Sequence, residues 1–169
     1  MFRIGDLVVY GKMGVCTITA ISSMSFGGDD EADYYVLCPK SDRSSCVYVP
    51  CNNAQLLARM RPLLTKEEID RLLRDAHDEQ IEWIDDKNER TVQFRDIVTQ
   101  GDRGRLICLV RCLLDEQKAR ATDGKKLSSA DEAVLKECVR LVEEEFSCAL
   151  DISPQDVGAY IREALEAAR

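Results

Sequence analysis

The side chains best suited to direct chemistry are few in this sequence. Trp83 is the one tryptophan, His77 the one histidine, and eight cysteines are spread from Cys16 to Cys148. On a helix spanning 81–99, read at about 100° per residue, Trp83, Lys87 and Arg90 fall within about 60° of one another. Asp85, Asp86 and Glu89 point elsewhere. An aromatic beside two cations can wedge against a nucleotide while the cations meet phosphates. The same face has a structural use, because Phe94 lies nearly in line with Trp83 and the indole can close the top of a helical core. A second electropositive stretch runs from Gly101 to Lys126, with seven cations, Arg103 and Arg105 at their head, against four acids. Such a stretch can engage a few phosphates with steep salt dependence, or it can be a solvated helix face.

Catalytic constellations are missing. The sequence contains no P-loop, no G-x-G-x-x-G after a strand, no H-E-x-x-H and no G-x-S-x-G. His77, in Asp75-Ala76-His77-Asp78, falls near a helix end, where the dipole favours a cationic imidazole over a general base. The acidic runs Asp29-Asp30-Glu31 and Glu143-Glu144-Glu145 read as solvated faces. Cys108 and Cys112 stand at i, i+4 and, with Cys138, could form the edge of a thiol or zinc sensor. Their place in the apolar run Leu106-Ile107-Cys108-Leu109-Val110 favours packing as small hydrophobes. The chain therefore reads as a binding module rather than an enzyme, with no cofactor, no metal and no small-molecule substrate.

The elements that position these residues fall into two periods. Within a first domain of residues 1–60, residues 1–50 alternate like strands in Asp6–Tyr10, Val15–Ile21, Tyr34–Cys38 and Cys46–Pro50, separated by Gly-, Asp- and Ser-rich turns. Four or five short antiparallel strands in this length form a small barrel or a strongly bent sheet. In Val47-Tyr48-Val49-Pro50 the terminal proline cannot donate to a neighbour, which suits an edge strand that could recruit a partner by strand addition, or one whose Tyr48 and valines merely fill the barrel and face solvent alternately. Residues 61–169 are helical, with helices expected near 66–77, 81–99, 103–121, 129–149 and 154–167. Thr65-Lys66-Glu67-Glu68 and Ser129-Ala130-Asp131-Glu132 have the form of capping boxes, Ser153-Pro154 opens a helix, and Gly101 and Gly124 end helices. Met60-Arg61-Pro62 is read as the connection. The architecture is α+β, a small β-barrel followed by a helical bundle.

Composition limits the partners. The 169 residues carry 31 acids and 23 Lys and Arg, a formal charge of −8, which argues against coating nucleic acid by bulk charge. No apolar run is long enough to span a bilayer, and the charged start is not a signal peptide, so a cytoplasmic protein with reduced thiols is expected.

The order of Phe2-Arg3-Ile4-Gly5-Asp6-Leu7-Val8-Val9-Tyr10, Gly14-Val15, Tyr34-Tyr35-Val36-Leu37 and Val47-Tyr48-Val49-Pro50 resembles the CarD-like family of bacterial transcription regulators. It is also similar to the Tudor-like polymerase-interacting domain of the transcription–repair coupling factor. Downstream, Trp83, Gly101-Asp102, Lys125-Lys126-Leu127 with Asp131, and an acidic helix through Glu145 continue the likeness. The resemblance implies an SH3- or Tudor-like domain that docks on the RNA polymerase β subunit through Val47, Tyr48, Val49 and Pro50. It implies a helical domain that contacts promoter DNA at the upstream edge of the transcription bubble, with Trp83 wedging into the minor groove to hold the open complex. Together with the charge reading, Trp83, Lys87, Arg90, Arg103 and Arg105 are the expected DNA-facing residues, and DNA binding by the isolated protein is expected to be weak. An adaptor on polymerase without DNA contact is the alternative reading. Tyr48 stands where family members often carry arginine, and Asp85-Asp86 follow the tryptophan where several cations are common.

Overall fold

The structure is a computed structural model and describes residues 1–28 and 31–168, so Asp29 and Asp30 of the first acidic run lie outside the described residues. It divides into two compact units, residues 1–63 and 64–169.

The first unit is one antiparallel sheet of β1 (Leu7–Tyr10), β2 (Val15–Met24), β3 (Ala32–Pro39), β4 (Val47–Pro50) and β5 (Met60–Pro62), in the order β4-β3-β2-β1-β5. Gly11 and Gly14 take positive φ at either end of the one-turn connection between β1 and β2, a conformation open to glycine without a Cβ clash. A register shift between Ile18 and Ala20 bends the long β2. Val8, Ile18, Leu37 and Val49 are fully buried on the inner face. Met60-Arg61-Pro62 is a strand and not a connection, since Val8, Val9 and Tyr10 pair with Pro62, Arg61 and Met60. Three residues are too few to show alternation, and the closing proline fits the outer strand of a sheet. The short α1 (Ala54–Leu57), capped by the Asn53 side chain, also escaped the pattern.

The second unit contains α2 (Lys66–Asp78), α3 (Lys87–Gln100), α4 (Arg103–Thr122), α5 (Ser129–Leu150) and α6 (Pro154–Ala167). Their apolar stripes meet around Leu73, Phe94, Leu109, Leu113, Leu141 and Phe146. The Thr65–Glu68 capping box is present with both of its hydrogen bonds. The cap of α5 is Ser128, one residue earlier than the spacing suggested, and its hydroxyl accepts from the Asp131 amide. Helix α3 begins at Lys87, six residues later than expected, because Asp86 caps it by accepting from the Glu89 amide at 2.8 Å. The chain from Glu79 to Asp86 is not helical, and Trp83 lies within it.

Candidate nucleic-acid and partner interfaces

The helical wheel that joined Trp83 to Lys87 and Arg90 therefore does not apply. The structure brings Trp83 and Arg90 together by another route. Trp83 is half-buried, its ring edge-to-face with Phe94 at 6.1 Å between centroids. The Arg90 guanidinium carbon lies 4.2 Å from the indole centroid, and that of Arg120, from the last turn of α4, lies 5.5 Å away. Both uses weighed for the indole are thus in play. It packs on the core through Phe94 while two guanidinium groups adjoin its ring.

Arg90 is 5% exposed and directs its polar atoms inward. Nε and Nη2 donate to the two Asp131 carboxylate oxygens, each at 3.1 Å. Nη1 donates to the carbonyls of Ile84 at 2.7 Å and Asp85 at 3.2 Å. Asp131 also accepts from Ser128 Oγ at 2.6 Å. Burial pushes the Asp131 carboxyl up, but the hydrogen bonds from Arg90 and Ser128 and the Arg90 charge outweigh it and hold it below the ordinary carboxylate value. Arg103 is likewise inside, with Nε 2.6 Å from Glu145 Oε2 and Nη1 donating to the Gly101 carbonyl at 2.8 Å. Glu145 is fully buried and its other oxygen accepts from the Leu64 amide at 3.1 Å. Glu143-Glu144-Glu145 is therefore not a solvated run. Glu144 pairs with Arg140, and Glu145 is a core residue.

The remaining expected cations are exposed but do not form one cluster. Lys87 opens α3, and Arg105 lies in the first turn of α4. Fifteen residues separate Arg105 from Arg120, a span of roughly 22 Å along a helix. Arg103 and Arg105 thus sit at the far end of α4 from the residue that touches Trp83. Arg120, one of the seven cations between Gly101 and Lys126, is the partly exposed cation at the indole. Glu116 holds it at 2.7 Å, and its carbonyl accepts from the Lys125 amide at 2.9 Å, which ties the exposed Lys125-Lys126 turn to the same helix end. Two spacings in the sequence mark the start of α3 and the inward direction of Arg90. Asp86-x-x-Glu89 is a capping signal, and Arg90 heads the buried stripe Arg90, Phe94, Ile97, where an arginine needs an acidic partner.

Of the three cysteines considered for a sensor, Cys108 and Cys138 are buried and Cys112 is partly buried. Cys108 is buried with its thiol directed at the carbonyls of Ala76 and Glu79, and burial raises the Cys108 and Cys112 thiols. Burial pushes Cys138 up to about 12. Such thiols stay protonated at neutral pH, where they are poor nucleophiles and poor metal ligands. His77 ends α2 and its Nδ1 lies 2.8 Å from Asp78.

In the first unit, β4 forms one end of the sheet, paired with β3 in the register Leu37–Val47, Val36–Tyr48, Tyr35–Val49 and Tyr34–Pro50. Val49 points into the core and Tyr48 outward at 43% exposure. Phe26 packs edge-to-face on Tyr48 and on Tyr34, with centroids 5.8 and 5.2 Å apart, so the outer side of this edge carries three aromatic rings. An edge strand flanked by exposed aromatics has the form that strand addition uses in protein recognition.

Residues 2–64, essentially the first unit, match the model of the CarD-like/TRCF RID domain. The family is one of transcription-related, RNA-polymerase-interacting domains, a protein-interaction family and not a catalytic one. No curated protein matches the chain. Among the described residues, no helix is long and apolar enough to cross a membrane.

Proposed function

We propose that this chain is a regulator of bacterial transcription that docks on the RNA polymerase β subunit through β4 and contacts promoter DNA at the upstream edge of the bubble. In this reading Val47, Tyr48, Val49 and Pro50 form the docking strand, and Trp83 is the wedge that holds the open complex. The observation that carries it is the pairing, in one chain, of a polymerase-interacting domain with a half-exposed indole adjoined by Arg90 and Arg120. Indole and guanidinium together suit a minor-groove wedge beside phosphates.

The assignment of phosphate contacts follows burial. Arg90 and Arg103 are committed to Asp131 and Glu145, and withdrawing either would leave a buried carboxylate uncompensated, at about 3–5 kcal/mol. Arg120 takes the phosphate role at Trp83, with exposed Lys87, Lys125 and Lys126 as further cations and Arg105 more distant. The net charge of −8 makes binding to duplex DNA alone weak, and docking on polymerase supplies the local concentration.

Pull-down of the isolated β subunit by the full chain tests the docking half. Wild type should retain it, and Tyr48→Asp, which places a charge in the aromatic patch without touching the buried Val49, should release it. Equal capture by both would remove β4 from the interface, leaving DNA contact to be judged separately.

A further inference from the structure

Trp83 lies outside any helix, so no helical backbone fixes its direction. The Arg90 side chain supplies the missing constraint. Its guanidinium spends two N–H groups on the carbonyls of Ile84 and Asp85, the two residues that follow the indole, and two on the carboxylate of Asp131 in the first turn of α5. Its guanidinium carbon lies 4.2 Å from the ring centroid. Asp131, 3% exposed, is itself held by Ser128 Oγ. A buried ion pair of this kind is weak evidence for stability, since apolar replacement is often no worse. What it does provide is a support beside the ring, tied to the Ile84 and Asp85 carbonyls at one end and to Asp131 at the other.

We propose that Asp131 and Arg90 are positioning residues for Trp83, holding the indole in the orientation it presents to promoter DNA before DNA arrives. The inference rests on the reading of Trp83 as the DNA wedge. Freezing a contact side chain in advance removes an ordering cost that binding would otherwise carry, and releasing it should weaken the contact roughly three- to tenfold.

Trp83 is the one tryptophan of the chain, so acrylamide quenching of its fluorescence reads its order directly in the free protein. Asp131→Asn keeps the shape but loses the charge that anchors Arg90. It should increase quenching and shorten the lifetime of the open promoter complex roughly three- to tenfold at equal polymerase occupancy. Arg90→Lys, which cannot span the two carbonyls and the carboxylate at once, should act the same way and serves if Asp131→Asn does not fold. A merely structural role would add its effect to that of Trp83→Ala, whereas a positioning role leaves the Trp83→Ala, Asp131→Asn double variant no worse than Trp83→Ala alone. Unchanged quenching, raised quenching with an unchanged lifetime, or additive losses would overturn the proposal. If Trp83→Ala itself has no effect on lifetime, the wedge reading falls and this inference with it. If Trp83→Ala shortens the lifetime and Asp131→Asn does not, positioning alone falls.

Discussion

Replacing Glu145 by Gln tests how firmly the buried pair on α4 and α5 is built. The carboxylate uses one oxygen for Arg103 Nε at 2.6 Å and the other for the Leu64 amide at 3.1 Å, with side-chain exposures of 1% for Arg103 and 0% for Glu145. Glutamine has one acceptor oxygen, so either the guanidinium or the amide faces an NH2 group. Breaking one side of a buried pair costs about 3–5 kcal/mol, because the remaining charge has neither water nor a counterion. That is a large share of the ~5–15 kcal/mol that holds a domain folded. For a domain near 100 residues it corresponds to a fall in Tm of roughly 12 °C or more. Urea unfolding followed by Trp83 fluorescence reads the helical unit alone, since that unit holds the one tryptophan. A loss below about 1 kcal/mol would refute the reasoning by showing that Arg103 has access to water. The companion variant Arg103→Met, Glu145→Leu should recover most of the stability, as apolar replacements of buried pairs commonly do. It should also leave the open-complex lifetime unchanged, which a DNA-contacting Arg103 would not allow.

Two further outcomes follow from the same geometry. Arg120→Ala should shorten the open-complex lifetime and reduce the slope of its logarithm against log salt by about one, the signature of one lost phosphate contact; an unchanged slope would return Arg120 to a purely structural role. The acid side of the stability curve should depend on Asp131. Its folded value is depressed, so its contribution is fully present above the unfolded value, about 4, and is lost as pH falls through the folded value. Asp131→Asn should therefore be less stable than wild type at pH 7, with the gap closing below about pH 4 in thermal melts. A gap that does not narrow at all as pH falls below about 4 would mean the carboxylate charge is not what matters.

Much of this arrangement is written in local patterns. Period-two runs and turn glycines mark β1 to β4, and the apolar stripes of α4 and α5 mark the bundle, because burial of one face imposes its period on the residues. β5 escapes because a three-residue strand shows no period and owes its existence to pairing with β1. The helix start at Lys87 was legible in the Asp86–Glu89 cap, but the apolar residues Ile81 and Ile84 mimic a continued helix. The partners of Arg90 and Arg103 lie 41 and 42 residues away, at Asp131 and Glu145, a distance over which no spacing rule acts. An isolated arginine in a charged stretch looks the same whether it meets water, phosphate or a buried carboxylate. The meeting of Arg120 with Trp83 is tertiary in the same sense.

The most direct test of the account is the lifetime of an open promoter complex, measured with wild type and with Trp83→Ala at matched polymerase occupancy. The account predicts that wild type lengthens the lifetime and that Trp83→Ala, though folded and still bound to polymerase, loses most of that gain. An equal lifetime with both proteins would contradict it and leave the chain as a polymerase-bound adaptor that does not touch DNA.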